Sequence, residues 1–164
     1  MNDDTLIRRE RADQPDVLAL LDALDAYLAG LYAPEANHIL DVQALLAPQV
    51  CFLVARRDGR AVGCGAVRAM PAEPAAGDEP YGEIKRMYVD PLLRGQRIGA
   101  DLLEALEAGL RAAGIRQALL ETGRDQQEAL RLYRRSGYQP CAPFGGYPDN
   151  GLSVFYRKAW RGAA

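Results

Sequence analysis

The chain has 164 residues, with 22 acidic and 20 basic side chains and a formal charge of −2. That length suits one compact domain over residues 1–164, and the charge balance excludes a general attraction to nucleic acid. The first residues, with Asp3 and Asp4 and no apolar run, do not read as a secretory signal, and no stretch approaches the ~20 apolar residues of a membrane span.

In chain order, residues 5–8 read as a short strand. Asp13 is placed to cap a helix that carries Pro15 in its first turn. Val17, Leu21, Leu24, Leu28 and Leu31 recur at helical spacing, with Asp22 and Asp25 off that stripe. A shorter helix is expected over 39–46, then a buried strand over 50–55. Asp58-Gly59 is a strong hairpin signal and returns the chain into a strand over 61–67. Residues 70–80 hold Pro71, Pro74, Gly77 and Pro80 and read as a loop. A strand over 81–89 is ended by Pro91. A helix over about 96–113 shows the stripe Ile98, Leu102, Leu103, Leu106 and Leu110, with Gly114 as its C-terminal cap. A strand over 115–121 completes a β-α-β unit and should run parallel to the strand before it. A helix over 126–136 is stopped by Gly137, and residues 138–142 and 152–158 form a closing strand pair around the turn-rich segment 144–151. Strands in both halves with helices between the later ones imply an α/β (α+β) layered fold on a mixed sheet. Cys51, Cys64 and Cys141 are odd in number, lack a CxxC pair and have no neighbouring histidine. They read as reduced, partly buried thiols of a cytoplasmic protein, and no metal site is expected.

Two segments carry chemistry. In Val89-Asp90-Pro91-Leu92-Leu93-Arg94-Gly95-Gln96-Arg97-Ile98-Gly99-Ala100 a strand gives way to a glycine-containing loop and then to an apolar-periodic helix. Such a junction offers backbone N–H groups at a helix N-terminus, a place to hold phosphate. Arg86, Arg94, Arg97, Arg124, Arg131, Arg134 and Arg135 all lie in the second half of the chain, which favours an anionic ligand. The second segment is Ala129-Leu130-Arg131-Leu132-Tyr133-Arg134-Arg135-Ser136-Gly137-Tyr138.

Together the two segments resemble the acetyl-CoA-binding core of the GNAT superfamily of N-acetyltransferases, specifically between Glu83 and Tyr138. The resemblance implies a mixed, mostly antiparallel sheet with a central splayed parallel strand pair and helices on both faces. It also implies acetyl-CoA as co-substrate. The family's loop usually reads Arg/Gln-x-x-Gly-x-Gly/Ala; here Arg94 and Gly99 fit, whereas Arg97 stands where the first glycine is expected. Arg97 can still donate its amide if its φ is negative, and it adds charge beside a diphosphate. Gly95, Gln96, Ile98 and Ala100 complete the loop. On the preceding strand, period-two alternation places Glu83, Lys85 and Met87 on one face and Ile84, Arg86 and Tyr88 on the other. By resemblance, the backbone of Met87, Tyr88 and Val89 pairs with the pantetheine arm.

Glu83 is the candidate base, because an alkylammonium with a pKa near ~10 must lose a proton before it attacks a thioester. The competing reading is a salt bridge to Lys85 or a nearby arginine. By resemblance, Tyr133 faces the cofactor sulfur and donates a hydrogen bond to the departing thiolate; the competing reading is core packing. Gln126 stands where many relatives carry an asparagine that touches the cofactor, or is an exposed first-turn residue. Glu121, at the end of the parallel strand, is either a second acid near the acceptor or an ion-pair residue. Tyr32, Glu35, Asn37 and His38 form a polar-aromatic cluster between the first two helices, in the region that helps form the acceptor site in this family. His38 is either an acceptor contact or a solvated residue, and Tyr147 lies in a segment that either folds over the acceptor or is a plain hairpin loop.

The expected activity is transfer of acetyl from acetyl-CoA to a primary amine by direct attack, since no Cys or Ser has the neighbours of an activated nucleophile. The acceptor is expected to be a small molecule, amino acid or peptide; the acidic balance disfavours an acidic acceptor. The alternatives are a non-catalytic CoA-binding sensor, a protein Nα or lysine acetyltransferase, and an unrelated phosphate-binding protein. A homodimer is compatible with an exposed sheet edge.

Overall fold

A computed structural model describes residues 4–160; Asp3 lies outside them. The elements are β1 (Thr5–Arg9), α1 (Pro15–Leu31), α2 (Val42–Leu45), β2 (Val50–Arg57), β3 (Arg60–Glu73), β4 (Glu79–Val89), α3 (Ile98–Ala112), β5 (Gln117–Gly123), α4 (Gln127–Arg135), β6 (Gln139–Pro140) and β7 (Ser153–Ala159). The strands form one sheet in the order β1-β2-β3-β4-β5-β7-β6. It is mostly antiparallel, with β4 and β5 as a parallel pair, matched at Gly82↔Ala118 and Glu83↔Leu119. No helix among the described residues is long and apolar enough to cross a membrane.

Several expected boundaries move, each for a local reason. Asp13 does not cap α1; its carboxylate is held by Arg11 at 2.8 Å, and Gln14 takes the cap position, its side chain donating to Glu10 and the Arg11 carbonyl rather than capping the helix. The expected helix over 39–46 contracts to α2, where the Asp41 carboxylate accepts from the Ala44 N–H at 2.8 Å. The proline-rich loop over 70–80 is mostly strand: β3 continues to Glu73 and β4 begins at Glu79, leaving a short turn led by Pro74–Ala76. Pro71 is exposed in that extension. The helix expected from residue 96 begins at Ile98, because Gly95 and Arg97 hold φ of +83° and +66°. The closing strand over 138–142 shortens to β6, paired with β7 at Gln139↔Arg157. The hairpin turn forms as expected, with Asp58 and Gly59 both at positive φ.

The chain falls into two compact units, Met1–Val67 with Lys85–Leu106, and Arg68–Ile84 with Glu107–Ala164. In the first, Cys64 and Ala66 of β3 join Val17, Leu20 and Leu21 of α1 and Phe52 and Val54 of β2 in one core. The alternate residues Gly63 and Gly65 face Ile98, Leu102 and Leu106 of α3. The period of two thus seats α1 and α3 on opposite faces of β3. In the second unit, β5 pairs with β7 along its whole length, from Gln117↔Ala159 to Gly123↔Ser153. Tyr81, Leu119, Phe144 and Phe155 form that unit's aromatic core.

The alternation expected along β4 breaks at Arg86, which has a φ of +59°. Lys85 donates to the His38 carbonyl at 2.9 Å and Arg86 binds Asp25 of α1, so two consecutive side chains serve the same layer. Tyr88 packs against the α1 core, while Met87 lies against Gly65 on the α3 side. One left-handed residue adds a bulge-like step and resets which side chains face which layer.

A methyl group at Gly63 would stand 3.1 Å from the Tyr88 carbonyl oxygen and 3.2 Å from Leu102 Cδ1. Gly63→Ala is therefore expected to lower the unfolding free energy by about 1–3 kcal/mol, read from the urea midpoint. An unchanged midpoint would contradict close packing of α3 on β3.

Candidate active site

In the first unit, Asp90 organises the approach to α3. Its carboxylate accepts from the Leu92 N–H at 3.0 Å and binds Arg60 at 2.7 Å, and its own N–H reaches the Val62 carbonyl at 2.9 Å. The chain then passes through Gly95 and Arg97, both left-handed, and enters α3 at the buried Ile98. Arg97 thus takes the conformation that a glycine gives most readily, and the negative φ expected of it is not found. Alternating backbone conformations of this kind gather N–H groups into an anion-binding concavity, and the first amides of α3 have no acceptor within the helix. Arg94, Gly95, Gln96 and Arg97 are exposed, and Gly99 and Ala100 are half-buried. The Arg94 guanidinium lies 5.9 Å from the Tyr88 ring centre, and Arg57 donates to the Gln96 side chain. Met87, Tyr88 and Val89 are half-buried at the end of β4.

Two acceptor-side candidates also lie in this unit. Tyr32 ends α1, its N–H bonded to the Leu28 carbonyl at 2.9 Å. The carbonyl of His38 is the group that holds Lys85.

In the second unit, Glu83 is 1% exposed and both carboxylate oxygens are engaged. Arg68 Nη2 donates to Oε1 at 2.8 Å and the Tyr147 hydroxyl donates to Oε2. Arg68 is the nearby arginine that pairs with Glu83, and Lys85 donates to the His38 carbonyl. A parallel arrangement supports Tyr147. Tyr81 donates to Glu73 Oε2 at 2.6 Å, and the Gly145 N–H donates to Glu73 Oε1 at 2.9 Å. Phe144 packs edge-on against Tyr81, Tyr147 and Phe155 at 5.5–5.8 Å. The 144–147 turn is thereby pinned at one end by an aromatic plug and at the other by a buried carboxylate. Burial, and then the negative charge of Glu83, push the Tyr147 hydroxyl pKa up, so it is a donor at neutral pH. Arg68, Glu73 and Tyr81 were not singled out from the sequence; a charged residue at the end of an apolar strand run was the only signal for Arg68.

Tyr133, on α4, is buried and packs edge-on to Tyr138 at 5.9 Å. The Tyr138 hydroxyl donates to the buried Glu107 at 2.9 Å, and Lys158 binds the other oxygen of Glu107 at 2.8 Å. That chain fixes the surface against which the Tyr133 ring rests. Among the described residues the Tyr133 hydroxyl meets no hydrogen-bond partner. Its pKa is pushed up by burial and then by the charge of Glu121. Glu121 accepts from Ser153 Oγ at 2.7 Å, and Gln126 holds the cap position of α4, half-buried, without a capping side-chain bond.

The turn into α3 depends on residue 95 keeping a positive φ. Gly95→Ala is expected to cost about 1–2 kcal/mol of stability, although no atom lies within 4 Å of the added methyl. An unaltered denaturation midpoint would show that the left-handed turn is not held in solution.

Known proteins place these features in a family. The model of the Acetyltransferase (GNAT) family matches residues 17–138. The IAA acetyltransferase of Azospirillum brasilense is 47% identical over 152 residues, covering 93% of this chain and 95% of that protein. The aminoalkylphosphonate N-acetyltransferase of Salmonella typhimurium is 32% identical over 145 residues, covering 82% and 93%. A crystal structure of an acyl-CoA N-acyltransferase candidate from Klebsiella pneumoniae superposes with a TM-score of 0.76 at 37% identity, covering 94% of this chain and 97% of its own. With the family model spanning most of its length and relatives matched nearly end to end, the chain belongs to the GNAT family of acetyltransferases.

Proposed function

We propose that the protein moves the acetyl group of acetyl-CoA to the primary amine of a small molecule. The observation that carries the reading is the left-handed turn at Gly95 and Arg97, which opens on the N-terminus of α3. Its N–H groups, with the charges of Arg94 and Arg97, have the chemistry of a diphosphate cradle. Met87, Tyr88 and Val89 offer backbone to the pantetheine arm, and Gln126 offers an amide. Acetyl-CoA would supply an activated acetyl thioester. The names of the relatives, one of them an aminoalkylphosphonate N-acetyltransferase, support a small acceptor.

In this reading Glu83 accepts the proton that the acceptor ammonium must lose. The freed nitrogen bonds to the carbonyl carbon, the carbon–sulfur bond breaks, and the second proton lost by the nitrogen ends on the departing sulfur, giving an amide and a free thiol. Tyr133 donates a hydrogen bond to the sulfur as negative charge develops there. A thiol has a pKa near ~8.5 and an ordinary phenol near ~10. Burial lifts Tyr133 above that ordinary value, so hydrogen-bond donation rather than full proton transfer is its contribution. Tyr32, His38, Glu121 and Tyr147 remain the acceptor-side candidates.

Glu83→Gln is expected to lower kcat at neutral pH by roughly two decades. A variant that turns over at full rate but melts earlier would make Glu83 a structural ion-pair residue only. Tyr133→Phe keeps the packing and is expected to lower kcat by about 10- to 100-fold, with KM for acetyl-CoA little changed. Because its pKa is raised, Tyr133 stays protonated through pH 10. The wild-type rate should therefore show no alkaline fall below pH 10 that Tyr133→Phe abolishes. An unchanged kcat in Tyr133→Phe would refute the role.

A further inference from the structure

We propose that Arg68 binds an oxyanion of the acceptor, so that the acceptor is a short amine that also carries a carboxylate or phosphonate. The inference rests on the function proposed above and names its substrate class. The charged pair Arg68–Glu83 is lopsided. Glu83 is 1% exposed and spends one carboxylate oxygen on Arg68 and the other on the Tyr147 hydroxyl. Arg68 offers the five N–H donors of a guanidinium, and among the described residues it makes one hydrogen bond, from Nη2 to Glu83 Oε1 at 2.8 Å. Its side chain is 29% exposed, so part of the guanidinium is open to a ligand. Its Nε is buried and meets no acceptor, although buried donors are almost always satisfied. A bare cationic amine would meet a carboxylate whose partners are already in place beside a guanidinium that repels it.

An acceptor with an oxyanion changes that balance. The oxyanion takes the donors that Arg68 does not use, in the geometry that a planar guanidinium prefers for carboxylate and phosphonate. Its ammonium is then free to displace the Tyr147 hydroxyl from Glu83 and deliver its proton there. Direct pairing with the open donors of one guanidinium, not the charge balance of the cluster, is what sets this acceptor against the net −2 of the chain, which by itself disfavours an acidic acceptor. The other charged or titratable groups of this cluster are Glu73, Tyr81 and Glu121; Glu73 is committed to Tyr81 and the Gly145 N–H, and Glu121, whose charge acts on Tyr147, accepts from Ser153 Oγ.

The test compares propylamine, β-alanine and 2-aminoethylphosphonate, which share a short amine and differ in the oxyanion. Transfer is read as kcat/KM, and binding by calorimetry in the presence of CoA. The wild type should favour at least one of the anionic acceptors over propylamine by about tenfold or more. Arg68→Gln should collapse that ratio, and Arg68→Lys should restore part of it. The two anionic probes tell carboxylate from phosphonate. Equal loss on all three acceptors with the ratio intact would mean that Arg68 serves Glu83 alone, and would overturn the proposal. So would a wild type that treats propylamine and the anionic acceptors alike. Calorimetric preference for an anionic probe, lost in Arg68→Gln but with no transfer to any of the three, would uphold the site and contradict the acetyl-transfer reading instead.

Discussion

One backbone constraint shapes the entry to α3, the left-handed conformation of Gly95 and Arg97. A non-glycine residue at positive φ is costly, so the surroundings must enforce it. Asp90 does so from one side, tied to Arg60, to the Leu92 amide and to β3. Ile98, sunk in the core against β3, does so from the other. Between these anchors the turn leads directly into a 15-residue helix. An anion there gains both hydrogen bonds and the favourable end of the helix dipole. Arg97 performs the conformational task of a glycine and contributes a charge that glycine lacks.

The second unit carries a different kind of constraint. Glu83 is a carboxylate taken out of water, which is tolerable only when it is hydrogen-bonded and paired. Arg68 and Tyr147 meet that requirement, one on each carboxylate oxygen. The turn that delivers Tyr147 is held by Phe144 in the aromatic core and by Glu73 on the Gly145 amide. Tyr133 stands apart from this network, with its ring held by Tyr138 and Glu107 and its hydroxyl uncommitted within the described residues. One tyrosine thus holds a buried carboxylate, and the other keeps its hydroxyl uncommitted among the described residues.

What could be read from the sequence was what is encoded locally. The stripe from Ile98 to Leu110, the Asp58-Gly59 turn and the stop at Gly137 depend on residues a few positions apart, and all three formed. The resemblance to the acetyltransferase family rested on two such local segments. The strand extensions through Pro71 and Pro80 were hidden because proline signals loops, although an exposed strand position tolerates it. The left-handed Arg86 carried no sequence signal, and it redirected Lys85 from the face that strict alternation gave it. The Glu83 cluster joins residues 15 and 64 positions apart. Glu83 and Tyr147 could each be singled out, but their contact, and Arg68's part in it, arise only once β3, β4 and the 144–147 turn are assembled.

The amides opening α3 are proposed to hold the diphosphate of acetyl-CoA. The most direct test is a titration of the ¹⁵N-labelled protein with acetyl-CoA, followed by backbone amide NMR. The amides of residues 95–100 are expected to show the largest shifts and to saturate together, and adenosine without phosphates is expected not to reproduce them. Saturable binding with those amides unmoved, and the largest shifts elsewhere in the chain, would contradict the proposal.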